Sequence, residues 1–220
     1  MSSGSADRVV VFDVMGTLFD LEPARRRLVE LGAPPAALEA WFQRILHEAA
    51  TVTIVESYRP FKELAASALK TTLVQLELDP SRTDPLDALA ELDPYPDAAS
   101  ALSELRDAGV RAVALTNGPA DSTKRLLERG DLGGLIAEVI SCDEVQRFKP
   151  HPAPYQLALQ RVGSQATMVA AHGWDVIGAQ AAGLDAIWID REEREWPFPL
   201  DPPQRAADIA EAVHVILAAS

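Results

Sequence analysis

Four places in the 220-residue chain set residues of reactive type just beyond short apolar runs. Asp13 follows the run at residues 8–12. Thr116 and Asn117 follow residues 110–115. Lys149 lies in the turn beyond residues 137–141, and His172 and Asp175 follow residues 167–171. Runs of this kind read as strands buried on both faces of a parallel sheet. Reactive groups in such sheets collect beyond the carboxyl ends of the strands, so the four places should converge. Together they supply a carboxylate nucleophile, an oxyanion donor, a cation and a second carboxylate. Singly each residue is ordinary, since Asp and Thr also cap helices and form turns. Their joint order along the chain is what points to a site.

A fifth run lies at residues 185–189. Helical patterns stand between the runs, at 97–108, 121–128, 152–161 and 176–182. A last one, at 203–218, carries Ile209, Val213, Ile216 and Leu217 on one stripe. This alternation predicts an α/β fold, a parallel sheet with helices on both faces. Residues 21–92 break it. Leu38, Trp41, Phe42, Ile45, Leu46 and Ala49 recur at helical spacing, as do Phe61, Leu64, Ala65, Ala68 and Leu69. They predict an all-helical insert after the first strand. The Pro-rich stretch at 196–203 reads as a surface connection.

With 20 basic and 33 acidic residues the net charge is −13. That balance repels polyphosphate and argues against a nucleic-acid partner. No apolar run approaches the ~20 residues of a membrane span. The single cysteine, Cys142, cannot form an internal disulfide and fits a reducing, cytoplasmic setting. Residues 1–7 read as a loose polar tail rather than a signal peptide.

At the motif level the chain resembles the haloacid dehalogenase (HAD) superfamily. Phe12-Asp13-Val14-Met15-Gly16-Thr17-Leu18-Phe19-Asp20 resembles its first motif, and Leu115-Thr116-Asn117-Gly118 its second. Lys149-Pro150 followed by Tyr155 resembles the third, and His172-Gly173-Trp174-Asp175 the fourth. The resemblance implies a Rossmann-like core, residues 7–20 and 93–220, with a helical cap at 21–92. Phosphatases of the superfamily carry a second Asp as general acid where this chain has Met15, which has no proton to give. Ala170 and Ala171 stand in the stretch where they carry magnesium-binding acids. Both differences resemble the L-2-haloacid dehalogenase branch, which implies no metal and no cofactor. Its partner is a small organic acid; a homodimer stays open. A phosphatase acting on a small phosphate ester, or a HAD-like protein with another substrate or little activity, is the alternative.

Within that resemblance Asp13 is the expected nucleophile, held ionised by Lys149. Asp175 either fixes Lys149 or activates water; as a plain structural residue it would cap a helix starting at Val176. Thr17, Thr116 and Asn117 are expected to hold a carboxylate oxygen, with Met15, Tyr155 and Trp174 as further substrate contacts. Two positions depart from the branch. It places an arginine after the cap tryptophan to receive the halide, but Trp41 is followed by Phe42, with Arg44 and Arg59 as nearby cations. It carries Asn where this chain has His172. A histidine there reads either as general base for ester hydrolysis or as a hydrogen-bonded residue at a strand end. His47 and His151 read as solvated or capping residues.

Overall fold

The computed structural model describes residues 8–163, 165–191 and 194–219. The tail reading for residues 1–7 lies outside them. Strand β1 (Val9–Phe12) is buried along its length because it pairs on both sides, with β2 (Arg111–Thr116) and β4 (Ala166–Ala170). β3 (Glu138–Ser141) adds outside β2, and β5 (Asp185–Ile189) outside β4. Every pairing is parallel, and the order is β3-β2-β1-β4-β5-β6. The period-2 alternation of strand side chains divides the interior in two. Val10, Phe12, Ala112 and Ala114 face one apolar cluster, while Val9, Val11, Val113 and Leu115 face the other.

Five helices stand between β1 and β2, and the first four are α1 (Glu22–Glu30), α2 (Ala37–Ile54), α3 (Phe61–Gln75) and α4 (Asp84–Ala88). Trp41, Ile45 and Ala49 of α2 bury against Ala65, Ala68 and Leu69 of α3, and the Trp41 indole donates to the Ala65 carbonyl at 2.9 Å. The core helices follow: α5 (Ala98–Asp107), α6 (Ala120–Arg129), α7 (Pro152–Val162), α8 (Gly173–Ala181) and α9 (Ile209–Ala218). His151 caps α7, its Nδ1 accepting from the Ala153 amide.

Two expectations are corrected. The pattern at 203–218 predicted one helix, but Gln204–Ala206 forms the edge strand β6, paired with β5. Residues 204–206 instead pair their backbone with β5, and Asp208 caps α9 further on, its carboxylate accepting from the Glu211 amide. Helix α8 begins at Gly173 rather than Val176. Asp175 therefore sits inside its first turn and is not its cap.

The strand order reverses about β1: the chain builds outward to β3, then returns to the far side of β1 as β4. Such a reversal opens a crevice at the carboxyl ends of the two strands. Asp13 and His172 lie there.

Candidate active site

Lys149 organises the crevice. Its ammonium donates to Asp13 Oδ1 at 2.7 Å, Asp175 Oδ2 at 2.7 Å and the Leu115 carbonyl at 2.9 Å. All three of its protons are thereby used. The other Asp13 oxygen, Oδ2, accepts from the Thr17 hydroxyl at 2.8 Å, and Thr17 Oγ1 accepts in turn from the Ala171 amide at 3.0 Å. Behind Lys149, Asp175 Oδ1 accepts from the Tyr155 hydroxyl at 2.6 Å. Tyr155 reaches it because residue 178 is glycine: a Cβ there would stand 2.6 Å from the Tyr155 oxygen. The loop holding Lys149 is braced by Asn117, whose Oδ1 accepts from the Lys149 amide at 2.9 Å and the Cys142 thiol at 3.1 Å.

These contacts set the protonation states. Burial opposes ionisation of Asp13, but the Lys149 ammonium and His172 outweigh it and hold the carboxyl well below the usual carboxylate range. Burial likewise opposes the Lys149 charge, and the two carboxylates overcome it, moving the ammonium above its ordinary value. Asp175 is raised by burial, against the pull of Lys149. Burial pushes the Cys142 thiol up to about 12, which leaves it an inert structural group.

In front of Asp13 a tight cleft, with about 20 Å³ of free volume, is lined by Asp13, Met15, Thr116, Asn117 and His172, with Phe42, Leu46, Phe61, Gly118 and Trp174 completing its walls. Asp13 and His172 are the ionisable residues among these. His172 Nδ1 stands 3.3 Å from Asp13 Oδ2. Its ring stacks with Phe42, centroids 5.3 Å apart, and with Trp174, centroids 5.4 Å apart. Gly16, at φ +78°, passes against the ring, where a Cβ would come 2.7 Å from His172 Cε1. Burial disfavours the imidazolium, but the hydrogen bond to Asp13 and its charge more than offset this, so the pKa is raised.

The residues singled out from the sequence thus fall into three groups. Asp13, Met15, Thr116, Asn117, Phe42, His172 and Trp174 line the cleft. Thr17, Lys149, Asp175 and Tyr155 stand behind it; Tyr155 is fully buried and bonds to Asp175, which corrects its assignment as a substrate contact. Arg44 is outside, its guanidinium donating to Gln75 at 2.7 Å, so it does not replace the missing arginine. Its side chain leaves α2 well round from Phe42, the residue that faces the core. Arg59 is exposed and donates to the Tyr58 carbonyl. Leu46 and Phe61, whose helical spacing reads first as cap core, line the cleft as well, and Gly118 is the cleft residue that sequence reasoning did not single out. Leu46 follows Phe42 by one helical turn, the signal that they share a face.

A carboxylate kept ionised at the floor of a largely apolar cleft can attack carbon, and a histidine on the same wall can move a proton. No helix among the described residues is long and apolar enough to cross a membrane. Known proteins carry the same framework. The chain is 31% identical over 219 residues to the (S)-2-haloacid dehalogenase 1 of Pseudomonas sp. (strain CBS-3), covering 96% of each chain. It is 34% identical over 193 residues to the (S)-2-haloacid dehalogenase 4A of Burkholderia cepacia, covering 84% of each. It superposes with a TM-score of 0.87 on the L-2-haloacid dehalogenase of Xanthobacter autotrophicus solved with chloropropionic acid covalently bound, at 25% identity, covering 96% of this chain and 99% of that one. Residues 8–183 match the haloacid dehalogenase-like hydrolase family, and the chain belongs to it.

Proposed function

We propose that the protein displaces halide from short 2-haloacids through an ester on Asp13. The observation that carries this reading is the pairing of an ionised Asp13, held by Lys149, with Met15 where a phosphatase needs a proton donor. A halide leaves as an anion and needs no such donor. The names of the relatives support the same substrate class.

In this reading an Asp13 oxygen attacks the halogen-bearing carbon. A carbon–oxygen bond forms, and the carbon–halogen bond breaks with its electron pair going to the halide. Asn117 and Thr116 hold the substrate carboxylate. Water then attacks the ester carbonyl of Asp13, giving one proton to His172. The acyl carbon–oxygen bond breaks, and the departing alkoxide takes that proton from the imidazolium to leave as the 2-hydroxyacid. Asp13 ionises by releasing the other water proton to solvent. Asp175 positions Lys149 from behind and is fully buried, which favours His172 over Asp175 as the group that meets water. Residues 21–92 act as the cap that carries Phe42, Leu46 and Phe61 over the strand ends. The lone, buried thiol of Cys142 supports a cytoplasmic setting.

No metal takes part in this reading. Asp13 and Asp175 each commit an oxygen to Lys149, and among the described residues no three His, Cys, Asp or Glu side chains gather as a metal site. Magnesium asks for more oxygen ligands than that pair provides.

The test is halide release from a panel of small 2-haloacids, run beside phosphate-ester hydrolysis, with and without EDTA. Halide release unchanged by EDTA is the expected result. Magnesium-dependent phosphate release without halide release would replace this reading with the phosphatase one.

A further inference from the structure

Beyond the cleft lies a second, larger cavity of about 390 Å³, between α3, α4 and the start of α6. Met15, Phe61 and Gly118 line both cavities, so they form a shared wall. That wall is thin: a glycine without a side chain, and a methionine whose unbranched chain rearranges readily. Past it the lining is mainly apolar, with Ala65, Leu86, Leu89, Ala90, Pro119 and Leu126. Lys62, Asp87 and Glu91 also line it and are exposed, which makes its outer rim polar with two acids to one base.

The carbon that Asp13 attacks carries a halide, a carboxylate and one further substituent. The Phe42–His172–Trp174 stack closes one side of the cleft. The side at Met15, Phe61 and Gly118 is backed by the larger of two neighbouring apolar spaces; the smaller, lined by Leu21, Leu38 and Ala171, lies behind Phe42 and His172.

We propose that the larger cavity is a tail subsite: the substituent of a 2-haloacid passes Met15 into it, and the preferred substrates carry an unbranched, medium-length alkyl chain. The acidic rim disfavours a second carboxylate at the far end of that chain. The inference rests on the 2-haloacid reading above.

The experiment compares kcat/KM for (S)-2-bromopropanoate and (S)-2-bromohexanoate in the wild type, Ala90→Trp and Ser122→Trp. Both substituted positions line the larger cavity and are exposed. In the wild type the longer acid is favoured by about four-fold per methylene buried. Each tryptophan fills the cavity, lowering the value for the hexanoate by about ten-fold or more while leaving the propanoate within about two-fold. Two results overturn the subsite while leaving the 2-haloacid reading intact: a wild type that prefers the propanoate, or variants in which both acids change alike. Halide release from neither acid by folded wild-type protein overturns the 2-haloacid reading, and the subsite with it.

Discussion

Phe42, from the cap, stacks on His172, at a core strand end, with ring centroids 5.3 Å apart and planes 26° from parallel. These are two positions at which the chain departs from the dehalogenase pattern, and they are in contact. Trp174 also stacks with the imidazole, at an interplanar angle of 21°. These two contacts and the Asp13 carboxylate 3.3 Å from Nδ1 hold the ring. The departures thus exchange a fixed guanidinium for a histidine that can change charge.

Removing that histidine separates the two chemical steps. His172→Ala is expected to release one equivalent of halide in a burst and then stall, because only hydrolysis of the ester needs the base. Mass spectrometry should find the acid remnant on the peptide carrying Asp13. Steady-state turnover equal to wild type would return His172 to a purely structural role.

Esterification should itself change the His172 pKa. In the resting enzyme burial opposes the imidazolium, while the hydrogen bond and charge of Asp13 raise the pKa above its ordinary value. An ester on Asp13 carries no charge, which removes the two largest raising causes and leaves burial and Lys149 lowering the pKa against Asp175 alone. The resting histidine therefore stays protonated to higher pH than the same histidine in the ester. The ester hydrolyses faster as pH rises through the lower, ester-state value. Single-turnover hydrolysis is expected to have its pH midpoint below the His172 midpoint measured by NMR in the resting enzyme. A kinetic midpoint at or above the NMR value contradicts this coupling.

Gly16 offers a way to move the ring without deleting it. In Gly16→Ala the new Cβ meets His172 Cε1 at 2.7 Å and Nε2 at 3.0 Å on a backbone at φ +78°. The left-handed backbone costs about 1 kcal/mol of stability, read as a lower denaturation midpoint. Displacing His172 should slow ester hydrolysis by about ten-fold, or 1.4 kcal/mol, while the halide burst remains. A variant with the lower midpoint but unaltered steady-state turnover would show that the position of the ring does not matter.

The sheet was legible because Val9–Phe12 and its partners are β-branched or apolar runs that only a doubly buried strand accommodates. β6 was not, since Gln204 and Arg205 carry no apolar alternation: an edge strand is held by backbone pairing, and Arg205 bonds outward to Asp190. The convergence of Asp13, Lys149 and Asp175 followed from strand ends alone. What those side chains do to one another did not, because it depends on long-range placement. Helical phase says that Arg44 and Phe42 diverge, but not that Gln75 waits for the guanidinium. Nor can an apolar pattern tell a cap residue that fills the core, such as Trp41, from one that lines the cleft, such as Leu46.

The ester on Asp13 is the centre of the account, and the fate of one oxygen tests it most directly. A single turnover of an (S)-2-haloacid is run in H₂¹⁸O with enzyme in excess. Water that attacks the Asp13 carbonyl carbon leaves its label in the aspartate, and the product hydroxyl takes an unlabelled oxygen from Asp13. The account predicts ¹⁸O in the peptide carrying Asp13 and an unlabelled 2-hydroxyacid. Labelled product with an unlabelled Asp13 peptide would show that water attacks the substrate carbon directly, and would contradict it.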